Sequence, residues 1–179
     1  MMEADKPTTM ICTLLAIDNT TGFSYRVCSV CERTLPDNPS SLCKFCSVNA
    51  FNPRFPRTKR LFRLLMSIAS DTKVLNVICF DRAAKVLFGC SADEFFDFAK
   101  FHPFAAVNAS RILDGEMFKM TLSKPKNGNA QHLRAVQVVP LRSGFRPAIV
   151  SLRELYGEKL SKRYQLGVCL AMIHGMAFS

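Results

Sequence analysis

Cys28-Ser-Val-Cys31 and Cys43-Lys-Phe-Cys46, separated by eleven residues, decide how this chain is read. Two Cys-x-x-Cys pairs at so short a separation have the spacing of a tetrahedral four-thiolate zinc site. Each pair forms a tight turn presenting two sulfurs on one side, and Zn²⁺ needs two such turns facing each other at about 2.3 Å per bond. The intervening Glu32-Arg-Thr-Leu-Pro-Asp-Asn-Pro-Ser-Ser-Leu42 is rich in turn formers and doubles back to bring the pairs together. Disulfides are disfavoured because nothing upstream looks secretory. A redox motif would use one Cys-x-x-Cys opening a helix after a strand, and here two lie on turns. With four protein sulfurs around the ion no position is left for water or substrate, so the metal is expected to hold the fold and do no chemistry.

The chain has 179 residues, the size of one ordinary domain or one domain with an appendage. A hydrophobic fraction of 49% is ample for a core and excludes global disorder. The formal charge of +10 favours a polyanionic partner, nucleic acid first. Cys12, Cys79, Cys90 and Cys169 are scattered among apolar residues and read as buried small hydrophobes. Eight cysteines without a signal peptide suit a reducing compartment. No apolar run reaches the ~18–20 residues that span a bilayer. The nearest, Leu166 to Phe178, carries His174 and Gly175.

Thr8 to Ile17 is β-branched and apolar with no breaker, a first strand. Phe23, Tyr25 and Val27 alternate and lead into the first cysteine turn. Leu61–Ser70 and Val74–Phe80, joined by Asp71-Thr-Lys73, predict a hairpin of strands two and three, with either Phe62 or Arg63 facing solvent. Asp81 is a candidate N-cap for a helix over 82–88 closed by Gly89. Ser91-Ala-Asp-Glu94 has the capping-box pattern ahead of a second short helix that stops before Pro103. Glu116–Leu122 and Gln131–Leu141 predict strands four and five, with a basic loop between them. From Val150 onward Leu152, Leu155, Tyr156, Leu160, Tyr164 and Val168 recur at helical spacing, so 151–179 is expected to form a C-terminal helical tail. The predicted class is mainly β: a five-stranded oligonucleotide/oligosaccharide-binding (OB) barrel over 1–150, with a zinc ribbon inserted at about 24–50 and short helices between strands three and four.

The runs Cys12-Thr-Leu-Leu-Ala-Ile17, Tyr25-Arg-Val-Cys28, Cys43-Lys-Phe-Cys46, Phe62-Arg-Leu-Leu-Met-Ser-Ile68, Val77-Ile-Cys-Phe80, Ala83–Gly89 and Arg134–Pro140 lie in order over residues 8–150. In that order they resemble the zinc-containing C-terminal OB domain of the replication protein A large subunit. The specific signal is cysteine turns lying between strand one and a Phe-Arg-Leu-Leu-Met-Ser strand that pairs with Val-Ile-Cys-Phe. The resemblance implies single-stranded DNA binding in the barrel groove, a structural zinc, and a nuclear role in replication, repair or recombination. It also implies assembly through the last helix with two smaller OB subunits. By position, Phe62 and Phe80 match family aromatics at the binding face, and Arg63 sits beside Phe62. The sequence departs from the family in three ways. It has no Trp where the family carries one near Leu75–Asn76; its loop 123–130 has no aromatic; and the match fades beyond residue 150.

A sequence-tolerant site for an unpaired strand needs a positive groove and flat side chains. Phe62 and Phe80 are the candidate platforms. Arg54, Arg57, Lys59, Arg60 and Arg63 form the densest basic run, with Lys73 on the strand 2–3 turn and Lys124 and Lys126 on the last loop. Most of the fifteen Phe must fill the core of a Trp-free chain, and the basic run also reads as an import signal or a solvated linker. His102, His132 and His174 are far apart, and no catalytic triad, phosphate loop or acid pair stands out, so no enzyme is inferred. The competing reading is an OB scaffold that assembles a complex through its terminal helix with little DNA binding of its own.

Overall fold

The computed structural model describes residues 6–20, 22–46, 56–125 and 131–157. Six strands form: β1 (Thr8–Ile17), β2 (Ser24–Cys28), β3 (Thr58–Ala69), β4 (Val74–Phe80), β5 (Met117–Ser123) and β6 (Leu133–Pro140). Four helices accompany them: α1 (Asp81–Phe88), α2 (Ala92–Phe101), α3 (Ala105–Leu113) and α4 (Ala148–Leu155). The sheet order is β1-β5-β6-β4-β3-β2, and β1 also pairs with β3, which closes β1, β5, β6, β4 and β3 into a ring. All pairings are antiparallel except β4 with β6. A closed five-stranded ring with one parallel pair and helices between its third and fourth members is the OB fold.

β2 is the sixth strand that counting five leaves out. β3 is long enough to take two partners on one edge. Its first half pairs with β2, from Cys28↔Thr58 to Ser24↔Phe62, and its second half with β1, from Ile17↔Met66 to Thr13↔Ala69. The pairing with β2 also explains why β3 starts at Thr58 rather than Leu61: β2 supplies hydrogen bonds for three more residues.

Alternation along β3 and β4 drives Phe62, Leu64, Met66, Ile68, Val77 and Cys79 inward, each with no exposed surface. α1 packs on β3 and β6 and closes one end of the ring. There Phe88 lies 4.8 Å from the rings of both Phe62 and Phe95, the latter edge-on, and 5.6 Å from Phe23. Such aromatic pairs add to stability beyond their buried area.

Local signals set the helix ends. Ser91 and Glu94 form a complete capping box at α2. Gly89 ends α1 at φ 71°, and a Cβ there would sit 2.4 Å from the Pro147 Cβ, so only glycine fits. Asp81 is not an N-cap. It is the first residue of α1, its Oδ1 accepts the Phe62 N–H at 3.1 Å, and its Oδ2 pairs with Lys85 at 2.7 Å. The carboxylate thus continues the β3 ladder past the end of β4. α3 has no side-chain cap, which is why its start carries no sequence signature. A boundary at residue 150 would cut α4, whose Ile149 and Leu152 are fully buried in the core. The tail beyond 157 lies outside the described residues, and no described helix is long and apolar enough to cross a membrane.

Phe62→Ala should lower the unfolding free energy by about 3–5 kcal/mol, the cost of emptying a packed aromatic site. Urea unfolding measures it, and a midpoint close to that of the parent chain would contradict the core placement.

Candidate nucleic-acid interface and metal centre

The two cysteine turns do face each other. The sulfurs of Cys28, Cys31, Cys43 and Cys46 all lie within 4.8 Å of one another, with Cys31 and Cys43 at 3.6 Å. A tetrahedral ion with bonds of about 2.3 Å needs sulfurs about 3.8 Å apart, so the set is compatible with such an ion. The first turn is built by Glu32 N–H donating to the Cys28 carbonyl at 3.0 Å, with Glu32 at φ 56°, and by Cys28 N–H donating to Arg33 at 3.0 Å. The Cys28 thiol is pushed down to about 7 by the backbone N–H groups of Cys31 and Val30. Cys46 is pushed up to about 12, first by its hydrogen bond with Cys31 and then by burial.

Arg26 organises the segment that links the turns. It is the one buried charged residue among those described, and its guanidinium donates to the carbonyls of Pro36 at 3.0 Å, Asn38, and Pro39 at 3.4 Å, and to the Thr58 hydroxyl at 3.2 Å. The doubling-back that turn formers permit is thus fixed by one arginine on β2. No local sequence pattern marks it.

The expected basic residues divide into two groups. Lys59 pairs with Glu32, whose hydrogen bond is the main cause of its raised pKa. Arg60 reaches Asp37 at 2.9 Å and lies 3.6 Å over the Phe96 ring, while its backbone N–H donates to Asp93 at 3.0 Å. Both side chains tie the ribbon and α2 to β3. Arg57 is exposed, and its carbonyl accepts the Ser29 N–H at 3.2 Å. Arg54 and Lys126 lie outside the described residues.

The other group faces outward from the barrel. Phe62 is fully buried and is corrected from a stacking platform to a core residue, since alternation on β3 sends Arg63 outward in its place. Arg63 stands directly opposite the half-buried Phe80, so the two share a face. On β6, Arg134 pairs with Ile78, and its guanidinium lies 5.2 Å from the Phe80 ring centroid. Ser123 of β5 pairs with Arg134, which brings the exposed Lys124 to the same end of the sheet. Register therefore assembles Arg63, Phe80 and Arg134 into a band across β3, β4 and β6, with Lys124 just past the end of β5. Lys73 lies on the β3–β4 turn at the far end of this face, about 20 Å along the hairpin from Phe80.

Tyr25 and Arg134 were not singled out from the sequence. Tyr25 pairs with Leu61, two positions from Arg63 on the same face of β3. Its phenol is pushed up by burial and by the carboxylates of Asp81 and Glu32, against the opposing pull of Arg63. Tyr25 belongs to a quoted run, but only strand pairing brings it beside Phe80's face.

This architecture recurs in solved structures. Yeast replication protein A bound to single-stranded DNA superposes with a TM-score of 0.62 at 16% identity, over 87% of this chain and 88% of that one. A replication protein A heterotrimer bound to single-stranded DNA superposes at 0.60 and 16% identity, over 86% of this chain and 35% of that one. The likeness is one of fold, the OB barrel, and this chain spans about a third of the second chain. No protein-family model matches the sequence, and no curated protein matches it.

Arg26→Met should strip donors from three carbonyls and a hydroxyl, costing about 2 kcal/mol or more and speeding amide exchange over residues 34–41. Exchange protection unchanged in that segment would refute the clamp.

Proposed function

We propose that the chain is a single-stranded DNA-binding OB module similar to the zinc-containing C-terminal domain of the replication protein A large subunit, acting in replication, repair or recombination in the nucleus. The observation that carries this reading is the Arg63–Phe80–Arg134 band across β3, β4 and β6, on the face of the barrel where OB folds take oligonucleotides. An unpaired strand needs flat surfaces for its bases and cations for its phosphates, and the band alternates the two. Phe80, with Tyr25 as a second ring, accepts bases. Arg63, Arg134, Lys124 and Lys73 line the phosphate path; Lys126 is proposed to join them on its place in the sequence alone, outside the described residues. Lys59, Arg60 and Arg57 contribute at the ribbon side chiefly by holding β2 and the cysteine turns against β3. The role is binding and not catalysis.

In this reading Cys28, Cys31, Cys43 and Cys46 hold a structural Zn²⁺, which supplies folding energy to the ribbon and no reactive position. A second reading, an OB scaffold that assembles a replication protein A-like complex through its C-terminal helix with little DNA binding of its own, draws support from Leu155 at the end of α4, which is 61% exposed.

Anisotropy with labelled oligo-dT should show an affinity whose logarithm falls with the logarithm of salt by about 0.7 per phosphate contacted. Phe80→Ala should weaken binding by about 1–3 kcal/mol without changing that slope, whereas Arg63→Gln should reduce the slope by about one contact. No binding at low salt would leave only the scaffold reading. Metal analysis should return one zinc per chain, and Cys28→Ser or complete chelation should unfold the ribbon. A melting curve indifferent to metal removal would exclude the structural ion.

A further inference from the structure

Phe45, in the second cysteine turn, is 73% exposed. One face of its ring is taken, for the Arg33 guanidinium carbon lies 3.5 Å from the ring centroid. A ring covered on one face and still so exposed has its other face open to solvent. The four cysteine sulfurs lie within 4.8 Å of one another, so the two turns converge, and each carries a further apolar side chain outward. Val30 stands before Cys31 and Leu42 before Cys43, 62% and 53% exposed. Cations surround this apolar tip. Arg33 and Lys44 are exposed, and the two carboxylates between Cys28 and Cys46, Glu32 and Asp37, are already paired with Lys59 and Arg60. The tip also adjoins the barrel face: Cys28 ends the strand that carries Tyr25, about 10 Å away.

We infer that the tip of the cysteine ribbon is a second platform for an unpaired base, the free face of Phe45 taking the base while Arg33 and Lys44 take its phosphates. The inference rests on the single-stranded DNA reading of the barrel face and extends that site onto the ribbon. Unpaired bases stack on aromatic rings and on guanidinium planes. An arginine lying flat on the ring holds it in place and still has edge N–H groups to donate to phosphate. Val30 and Leu42 add apolar surface beside the stacked base. An apolar protein surface fits the tip less well, because closing over it would desolvate two cations that have no carboxylate to meet. A base carried on a phosphate chain satisfies the ring and the cations together.

The chain has no tryptophan, so Phe45→Trp places its sole indole at the tip, where a stacked base quenches fluorescence. Binding is followed with labelled oligo-dT of about 4 and about 16 nucleotides, the range of site sizes for one OB fold. The longer strand should quench the indole of Phe45→Trp and bind it at least as well as the parent. Phe45→Ala should weaken the longer strand roughly five- to hundredfold and the shorter strand no more than about twofold, since a short strand keeps the barrel face. Arg33→Gln should lower the log–log salt slope of the longer strand by about 0.7. An indole left bright with the longer strand bound would overturn the inference, leave the barrel reading standing and point to a protein as the occupant of the tip. Equal losses for both lengths in Phe45→Ala would overturn it too, because the change would then act through the barrel. Absence of binding by the parent chain at low salt would overturn both readings.

Discussion

One strand with two partners on the same edge underlies this molecule. β3 spends its first half bonded to β2, which carries the first cysteine, and its second half bonded to β1, which closes the barrel. The ribbon is therefore not a pendant insertion. It shares backbone with the barrel wall, and the alternation of β3 decides both what enters the core and what reaches the groove. Once Leu64, Met66 and Ile68 are inside, Phe62 must be inside too, and Arg63 must be out. A slip of one residue would bury a guanidinium and expose a phenylalanine, so the register is held by a large energetic difference.

The basic character of the chain divides along the same line. Arg26, Lys59 and Arg60 sit where β2, the ribbon and α2 meet, and carbonyls, Glu32, Asp37 and the Phe96 ring take up their donors and charge. Arg63 and Lys73 stand outside that network, on the barrel face and on the β3–β4 turn. A run of cations in sequence is thus split in space into an internal set that fastens one element to another and an external set turned toward solvent. Net charge alone cannot make that division, since a guanidinium stacked on a ring and paired with a carboxylate adds little field at the groove.

How far the sequence carried the reading follows from the range of each signal. The cysteine spacing, the capping box at Ser91 and the Gly89 terminus are encoded within a few residues, and the structure has them where the spacing puts them. The barrel order was legible because its strands alternate and its helices interrupt them in one place. What was not legible depends on pairing. α3 lacks a cap, the pairing of the alternating Ser24–Cys28 stretch with β3 cannot be read from its own residues, and Arg134 joins Phe80 only through a parallel register between residues more than fifty positions apart. Phe62 failed as a platform for the same reason: a motif match assigns a position to a strand, while the face is set by what its neighbours bury.

β2 also couples the two sites. Tyr25 and Cys28 are three residues apart on it, about 10 Å, with Arg26 between them holding the linking segment. A change at the cysteines that frees the end of β2 removes the partner of Thr58, Lys59 and Arg60 first, and then loosens Tyr25 and Leu61 beside Arg63. Phe80 and Arg134 belong to β4 and β6, which the closed ring holds without help from β2. Loss of the ribbon should therefore wear away the groove from the Tyr25 side and leave the Phe80–Arg134 side in place. That asymmetry is what separates a cysteine cluster that shapes one edge of the barrel face from one on which the whole fold depends.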